Sequence, residues 1–230
     1  MKNITFACCS LVIASSSIAQ NAFEGVYGQL STGYENNTAR SAQLTGTDNG
    51  GVPNLSNSAN PNSGASPLVV GLGYTFLIEN KYTLGLGLDY SALSQDTAVT
   101  GFYYPGVSAA VYDYKYSISN RINIFIAPGL AIDKDKLAYF KLGYSTQNVQ
   151  YSQTNCCSSP SNKAQISGYG LGLGYKQMIA NGFYGFTEVN YYSYGSVGMA
   201  SAYSDGPGGT VSSSPNFNAY NFLLGLGYRF

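Results

Sequence analysis

The sequence predicts an all-β fold, an eight-stranded antiparallel up-and-down transmembrane β-barrel, and three observations predict it. Apolar and polar residues alternate with a period of two in segment after segment. Beyond the N-terminal leader no apolar run reaches 18 residues, so helical spans are not expected. Short turns alternate with long loops. A closed barrel is the other structure that satisfies every backbone group in lipid.

The clearest segment is 82–92, where Tyr82, Leu84, Leu86, Leu88, Tyr90 and Ala92 alternate with Thr83, Gly85, Gly87, Asp89 and Ser91. Segment 68–78 places Leu68, Val70, Leu72, Tyr74, Phe76 and Ile78 on one face. Segment 166–178 sets Tyr169, Leu171, Leu173 and Tyr175 against Gly168, Gly170, Gly172, Gly174 and Lys176. Segment 137–147 turns Phe140, Leu142 and Tyr144 outward and Tyr139 and Lys141 inward. At the C-terminus Tyr220, Phe222, Leu224, Leu226, Tyr228 and Phe230 share a face. Less regular segments at 23–35 and 183–194 place Val26, Leu30, Phe183, Val189 and Tyr191 outward.

Between 110 and 132 one phase runs unbroken from Tyr112, Tyr114, Tyr116 and Ile118 to Ile132. It reads as a single long strand that projects beyond the bilayer, all of these residues facing outward. Pro128 within it argues for a local bulge.

Short turns are expected at Glu79-Asn80-Lys81, Asp133-Lys134-Asp135-Lys136 and Ala180-Asn181-Gly182. Long Asn/Ser/Gly/Pro-rich loops are expected at roughly 36–66, 93–109, 148–164 and 195–217. From Tyr82 to Tyr90 the chain rises about 27 Å, or about 21 Å of height at a tilt of about 40°, close to an apolar band of about 25 Å. A soluble sandwich of half-buried strands would need charged outward faces, and these segments lack them.

Composition agrees. Charged residues make up 10% of the chain, against about 25% in a typical soluble domain. Residues 1–19 read as a signal peptide: Lys2 begins it, Ile4–Ala14 form its apolar core, and Ser17-Ile18-Ala19 is a small-x-small cleavage site before Gln20. Cys8 and Cys9 lie inside the apolar core instead of after it, which speaks against lipidation. The barrel domain is then 20–230. It keeps 10 basic and 11 acidic residues, a balance that suggests no nucleic-acid partner.

The chain contains no His. A Ser nucleophile without a nearby base is weak, so no catalytic residues are expected, nor any cofactor or metal. The Gly-x-Gly series at 168–174 has the wrong spacing for a dinucleotide fingerprint and precedes no helix. Small side chains lining a narrow lumen explain it better.

Asp89, Asp113, Lys115, Lys141, Lys176, Glu188 and Arg229 fall on the expected lumen face. Such charges should pair with one another, with Asp113 and Lys115 standing above the bilayer. They form either a polar core without a continuous channel or the lining of a narrow pore. Cys156 and Cys157 adjoin at the tip of the third long loop and are candidates for a vicinal disulfide or an intermolecular bridge. Long, nearly uncharged loops are where an extracellular ligand or a host surface would bind.

The ending Leu226-x-Tyr228-x-Phe230 resembles the C-terminal signature of outer-membrane barrels. With Gly-Leu-Gly-Tyr recurring at 71–74, 172–175 and 225–228, the chain resembles the small porin-like, OmpA-type outer-membrane β-barrel family. That resemblance implies a Gram-negative outer-membrane location, contact with outer-membrane lipid, and a barrel-assembly machinery that reads Leu226, Tyr228 and Phe230. The family's acyltransferases, lipases and proteases use a His, so the resemblance implies a non-catalytic barrel with a structural or surface-interaction role. A narrow pore or transporter for small solutes or small apolar molecules is the alternative.

Overall fold

The computed structural model describes residues 22–40, 44–48, 53–55, 60–79, 81–102, 112–153, 162–203 and 209–230. The signal peptide and Cys156 and Cys157 lie outside the described residues, as does Asn80 of the first short turn.

Eight strands form the wall: β1 (Gly25–Arg40), β2 (Leu68–Leu77), β3 (Tyr82–Ser91), β4 (Tyr112–Asp133), β5 (Lys136–Gln153), β6 (Asn162–Ala180), β7 (Phe183–Ser196) and β8 (Asn216–Arg229). Each pairs antiparallel with the next, and β8 pairs with β1, so the sheet closes on itself. Closure leaves no open edge in the membrane band. Every regular element among the described residues is a strand.

The alternation sorts side chains as hydrocarbon on the outside demands. Leu72, Leu173, Leu224 and Leu226 stand exposed, while their neighbours turn into a close-packed interior. Glycines make that interior possible: a Cβ on Gly227 would collide with the Tyr184 ring, and one on Gly174 with the Tyr139 ring. The β6–β7 turn is Asn181-Gly182, with φ of 44° and 87°, the left-handed pair that a two-residue hairpin requires.

Two expectations are corrected. The first concerns β4. Tyr114, Tyr116 and Ile118 are buried inside the barrel, whereas Ile122, Ile124 and Ile126 face outward. The phase reverses because β4 carries one extra residue: Asn148 of β5 pairs with Ser119, but Thr146 pairs with Ile122. Asn120, at φ 52°, absorbs the bulge and points outward, where Tyr90 Oη donates to its Oδ1 at 3.0 Å. No bulge falls at Pro128. The ladder with β5 skips Pro128 and Ala127 and resumes in the same register, and Leu84 pairs with Pro128 on the other side. A missing N–H there removes a hydrogen bond without inserting a residue.

The second correction concerns the long loops, much of which is strand. Asn62–Ala65 adds to the outer end of β1, and Gln95–Asp96 and Thr100–Phe102 add to β4. Leu44–Asp48, Pro53–Leu55, Met199–Tyr203 and Gly209–Ser213 form a separate four-stranded sheet that joins the first and last loops. Outside the bilayer both faces of a strand can be polar, so the alternation that marks the wall is lost.

Candidate functional site in the barrel core

The lumen is built in layers. Phe23, Phe125, Ala127, Leu137 and Tyr139 pack together in one apolar cluster, and Tyr27, Tyr184 and Phe186 in another. The outer end is filled by a larger cluster in which Tyr114, Tyr116, Tyr151 and Phe217 meet ring against ring at 5.5–5.9 Å. Between these apolar layers lie six buried charges among the described residues, three acidic and three basic: Glu35, Asp89, Glu188, Arg121, Lys141 and Lys176. Unpaired, any one of them would be costly in so dry a place.

Strand geometry brings most of them together. Lys141 of β5 reaches Asp89 Oδ2 on β3 at 2.6 Å and Glu188 Oε2 on β7 at 2.9 Å. Its ammonium also lies 4.1 Å from the Phe125 ring centre. Tyr139 Oη donates to Glu188 Oε1 at 2.6 Å, and Asn190 Nδ2 donates to Glu188 Oε2 at 3.2 Å. Asn190 then donates to Asn221 Oδ1 at 3.0 Å, and Asn221 donates to Glu35 Oε2 at 3.0 Å. Two amides thus join the lower charge cluster to an upper one.

In the upper cluster the Arg121 guanidinium takes the Glu35 carboxylate in a fork, Nη1 to Oε2 at 2.6 Å and Nη2 to Oε1 at 2.8 Å. Arg121 also donates to Asn37 Oδ1 at 2.9 Å and Gln147 Oε1 at 3.2 Å, and it lies over the Tyr192 ring at 4.8 Å. Gln95, from beyond the end of β3, donates to Glu35 Oε1 at 3.0 Å.

Of the sequence-predicted lumen charges, the structure brings Asp89, Lys141 and Glu188 into direct contact. Lys176 is in the same chamber but, among the described residues, has no carboxylate within ion-pair distance. Its ammonium is held over the rings of Tyr27, Tyr184 and Tyr139 at 4.0, 4.8 and 5.3 Å. Arg229 stands apart at the short-turn end, donating from Nη1 to the Glu24 carbonyl at 3.1 Å. Lys115 and Asp113, expected on the lumen face, lie on the outer end of β4 beyond the bulge and turn away from the buried Tyr114 and Tyr116; both are partly exposed, with Lys115 paired with Asp96.

Sequence reasoning missed Glu35 and Arg121. Both have the parity of lumen residues, but Glu35 is the last residue of a less regular segment, next to the stretch read as a loop, and Arg121 sits in the bulge. Leu226 and Tyr228 on the outside of β8, and Phe230 just after it, are exposed. Among the described residues no group of three or more His, Cys, Asp or Glu is placed to hold a metal.

The two cavities beside these clusters are small. One, next to Lys176 and Glu188, and one, next to Glu35 and Arg121, measure about 10 Å³ each, room for a single water at most.

A closed antiparallel wall with an apolar exterior has a counterpart in known proteins. The family model described as outer membrane protein beta-barrel domain matches residues 4–230. The chain belongs to this family. As an outer-membrane barrel it is a protein of the bacterial outer membrane of Gram-negative cells. No curated protein matches it.

Among solved structures, this barrel is similar to the outer membrane protease OmpT of Escherichia coli, at 11% identity over 90% of this chain and 97% of that one, with a TM-score of 0.50. It is similar to Ail, the attachment invasion locus protein of Yersinia pestis, at 15% identity over 90% and 99% of the two chains, with a TM-score of 0.43. It is also similar to OprG of Pseudomonas aeruginosa, at 11% identity over 90% and 97%, with a TM-score of 0.46. At 11% identity the likeness to OmpT shows the barrel fold alone.

Proposed function

We propose that this outer-membrane barrel is non-catalytic, a rigid structural support that presents its outer loops for surface interaction. One observation carries the reading: five of the six interior charges described are tied to one another across the lumen, the sixth, Lys176, is held over aromatic rings, and the whole is capped by aromatic clusters, leaving cavities of about 10 Å³ beside them. Charges spent on one another hold a wall together; they do not line a path. The joining of the first and last loops into a four-stranded sheet gives the outer face an ordered platform. Outer-membrane lipid surrounds the barrel, and the outward Leu226 and Tyr228 of β8 with the following Phe230 are the residues that an assembly machinery would meet.

The carboxylates do not suit catalysis either. Glu35, Asp89 and Glu188 each accept from a cation, and the chain has no His to serve as a base.

Conductance across a planar bilayer tests the reading. The refolded protein should give no stable steps. Steps that change in size when Lys141 is replaced by Met would overturn it in favour of a narrow pore, and turnover of a lipid or peptide by the purified protein would overturn the non-catalytic part.

A further inference from the structure

Three side chains meet at the centre of the lower chamber. The Lys141 ammonium of β5 stands between Asp89 Oδ2 of β3 at 2.6 Å and Glu188 Oε2 of β7 at 2.9 Å. The three side chains are 3%, 8% and 3% exposed in turn. The Phe125 ring covers the ammonium, and the adjoining cavity holds only about 10 Å³. An amine, a carboxyl and a second carboxylate are thus held in contact and shut off from bulk water. Those are the components of an amide bond.

The two carboxyl groups are held differently. Glu188 accepts from Tyr139 Oη on Oε1 and from Lys141 and Asn190 on Oε2. Asp89 accepts from Lys141 on Oδ2, while its buried Oδ1 has no hydrogen-bond partner among the described residues. Asp89 is therefore the carboxyl left free to react, and Glu188 the one fixed in place to relay a proton. The other ion pairs are unsuited to this chemistry. The Arg121 guanidinium that meets Glu35 keeps its proton and is no nucleophile. The Lys115–Asp96 pair is open to water, which favours the separate amine and acid.

We infer that Lys141 and Asp89 join in the folded barrel through an isopeptide bond, Nζ to Cγ, with loss of one water. One ammonium proton passes to Asp89 Oδ2, leaving a neutral amine and a neutral acid. The Nζ lone pair attacks Cγ, and negative charge gathers on Oδ1, where the Lys176 ammonium in the same chamber opposes it. Glu188 takes a second proton from Nζ and returns it to Oδ2. The Cγ–Oδ2 bond then breaks, water leaves, and the carbonyl reforms on Oδ1. The cavity beside Lys176 and Glu188 has room for that water. Contact in the folded state supplies the high effective concentration, and a neutral amide removes the desolvation cost of two buried ions. Glu188 and Lys176 remain as one charge of each sign. The bond would clamp β3 to β5 across the intervening β4. It forms once, within the chain itself, and turns over no substrate.

Intact-mass spectrometry tests the inference on the unaltered protein, recovered unfolded in urea and weighed again after days refolded in lipid bilayers. The folded sample should be lighter by the mass of one water. Trypsin cuts after Lys and Arg, so it should release segment 82–115, which carries Asp89, joined to segment 137–163, left uncut at Lys141. Lys141→Arg and Asp89→Ala should keep their full mass. Glu188→Gln, with sheet content checked by circular dichroism, should form the bond about 10²-fold more slowly or worse, as for loss of a proton carrier. A folded protein of unchanged mass would overturn the inference. So would a loss of water that persists in Lys141→Arg, which would place the dehydration elsewhere in the chain. A bond that forms at the same rate in Glu188→Gln would overturn the role given to Glu188.

Discussion

Arg121 and Glu35 face each other across the lumen through two parallel hydrogen bonds of 2.6 and 2.8 Å, both side chains almost wholly removed from solvent. The pair joins β4 to β1, strands on different sides of the ring, and Asn37, Gln95, Gln147 and Asn221 satisfy its remaining groups.

Removing one partner leaves the other charged and dry. Arg121→Met should cost about 3–5 kcal/mol, read from urea unfolding in lipid. The double change Arg121→Met with Glu35→Met should cost less than Arg121→Met alone, since no stranded charge remains. A double variant weaker than the single would show that the surrounding amides matter more than the ion pair.

The two lysines of the lower chamber should behave differently. Lys141 touches two carboxylates, so Lys141→Met should again cost about 3–5 kcal/mol. Lys176 has only ring contacts, and Lys176→Met should cost no more than the roughly 0.5–2 kcal/mol of a cation–π interaction. Parallel denaturation curves decide it; equal losses would mean that Lys176 carries an ion pair in the folded barrel.

Facing can be tested at adjacent residues. Leu86→Arg puts a cation against hydrocarbon and should cost about 2–4 kcal/mol near the midplane. At Gly87 an added Cβ would come within 2.5 Å of the Phe125 ring, so Gly87→Ser overpacks the lumen at about 1–3 kcal/mol. In thicker bilayers the Leu86→Arg penalty should change while that of Gly87→Ser stays constant. A common response would refute the assignment of faces.

Above the membrane band, Asp96 accepts from Lys115 and from Ser117, and these bonds hold its carboxyl below the usual carboxylate range. A lowered carboxyl contributes stability that is complete above the ordinary range and is lost as pH falls through the lowered value. The neighbouring Thr97 N–H donates to the Tyr116 carbonyl at 2.8 Å and reports on this contact. Its exchange protection should stay constant from neutral pH down to the ordinary carboxylate range and fall only below it. Asp96→Asn should lower protection at neutral pH and remove the fall at low pH, where the two proteins converge; an unchanged profile would mean that the short strand docks without the ion pair.

The wall was legible in the sequence because hydrocarbon outside and a tight core inside impose opposite demands on consecutive residues. Leu84, Leu86 and Leu88 against Gly85, Gly87 and Asp89 leave no other reading. The charge cluster was legible in part for the same reason: Asp89, Lys141 and Glu188 interrupt faces of small residues. What escaped lies where that contrast fades. Glu35 is followed by Asn36, Asn37 and Thr38, polar residues that alternate in nothing a periodicity can detect, yet they form the outer end of β1. The reversal at Asn120 was hidden because apolar residues continue on even numbers on both sides of it, first as core and then as lipid contacts.

That extra residue has a consequence for how the scaffold can change. Asn120 sets the parity of everything beyond it on β4. Deleting it would turn Tyr114, Tyr116 and Ile118 out to water and swing Asp113 and Lys115 over the mouth, exchanging a dry stopper for a wet, charged vestibule. A shift of one in the residue count, with composition almost untouched, is thus a short evolutionary route between a sealed barrel and a leaky one.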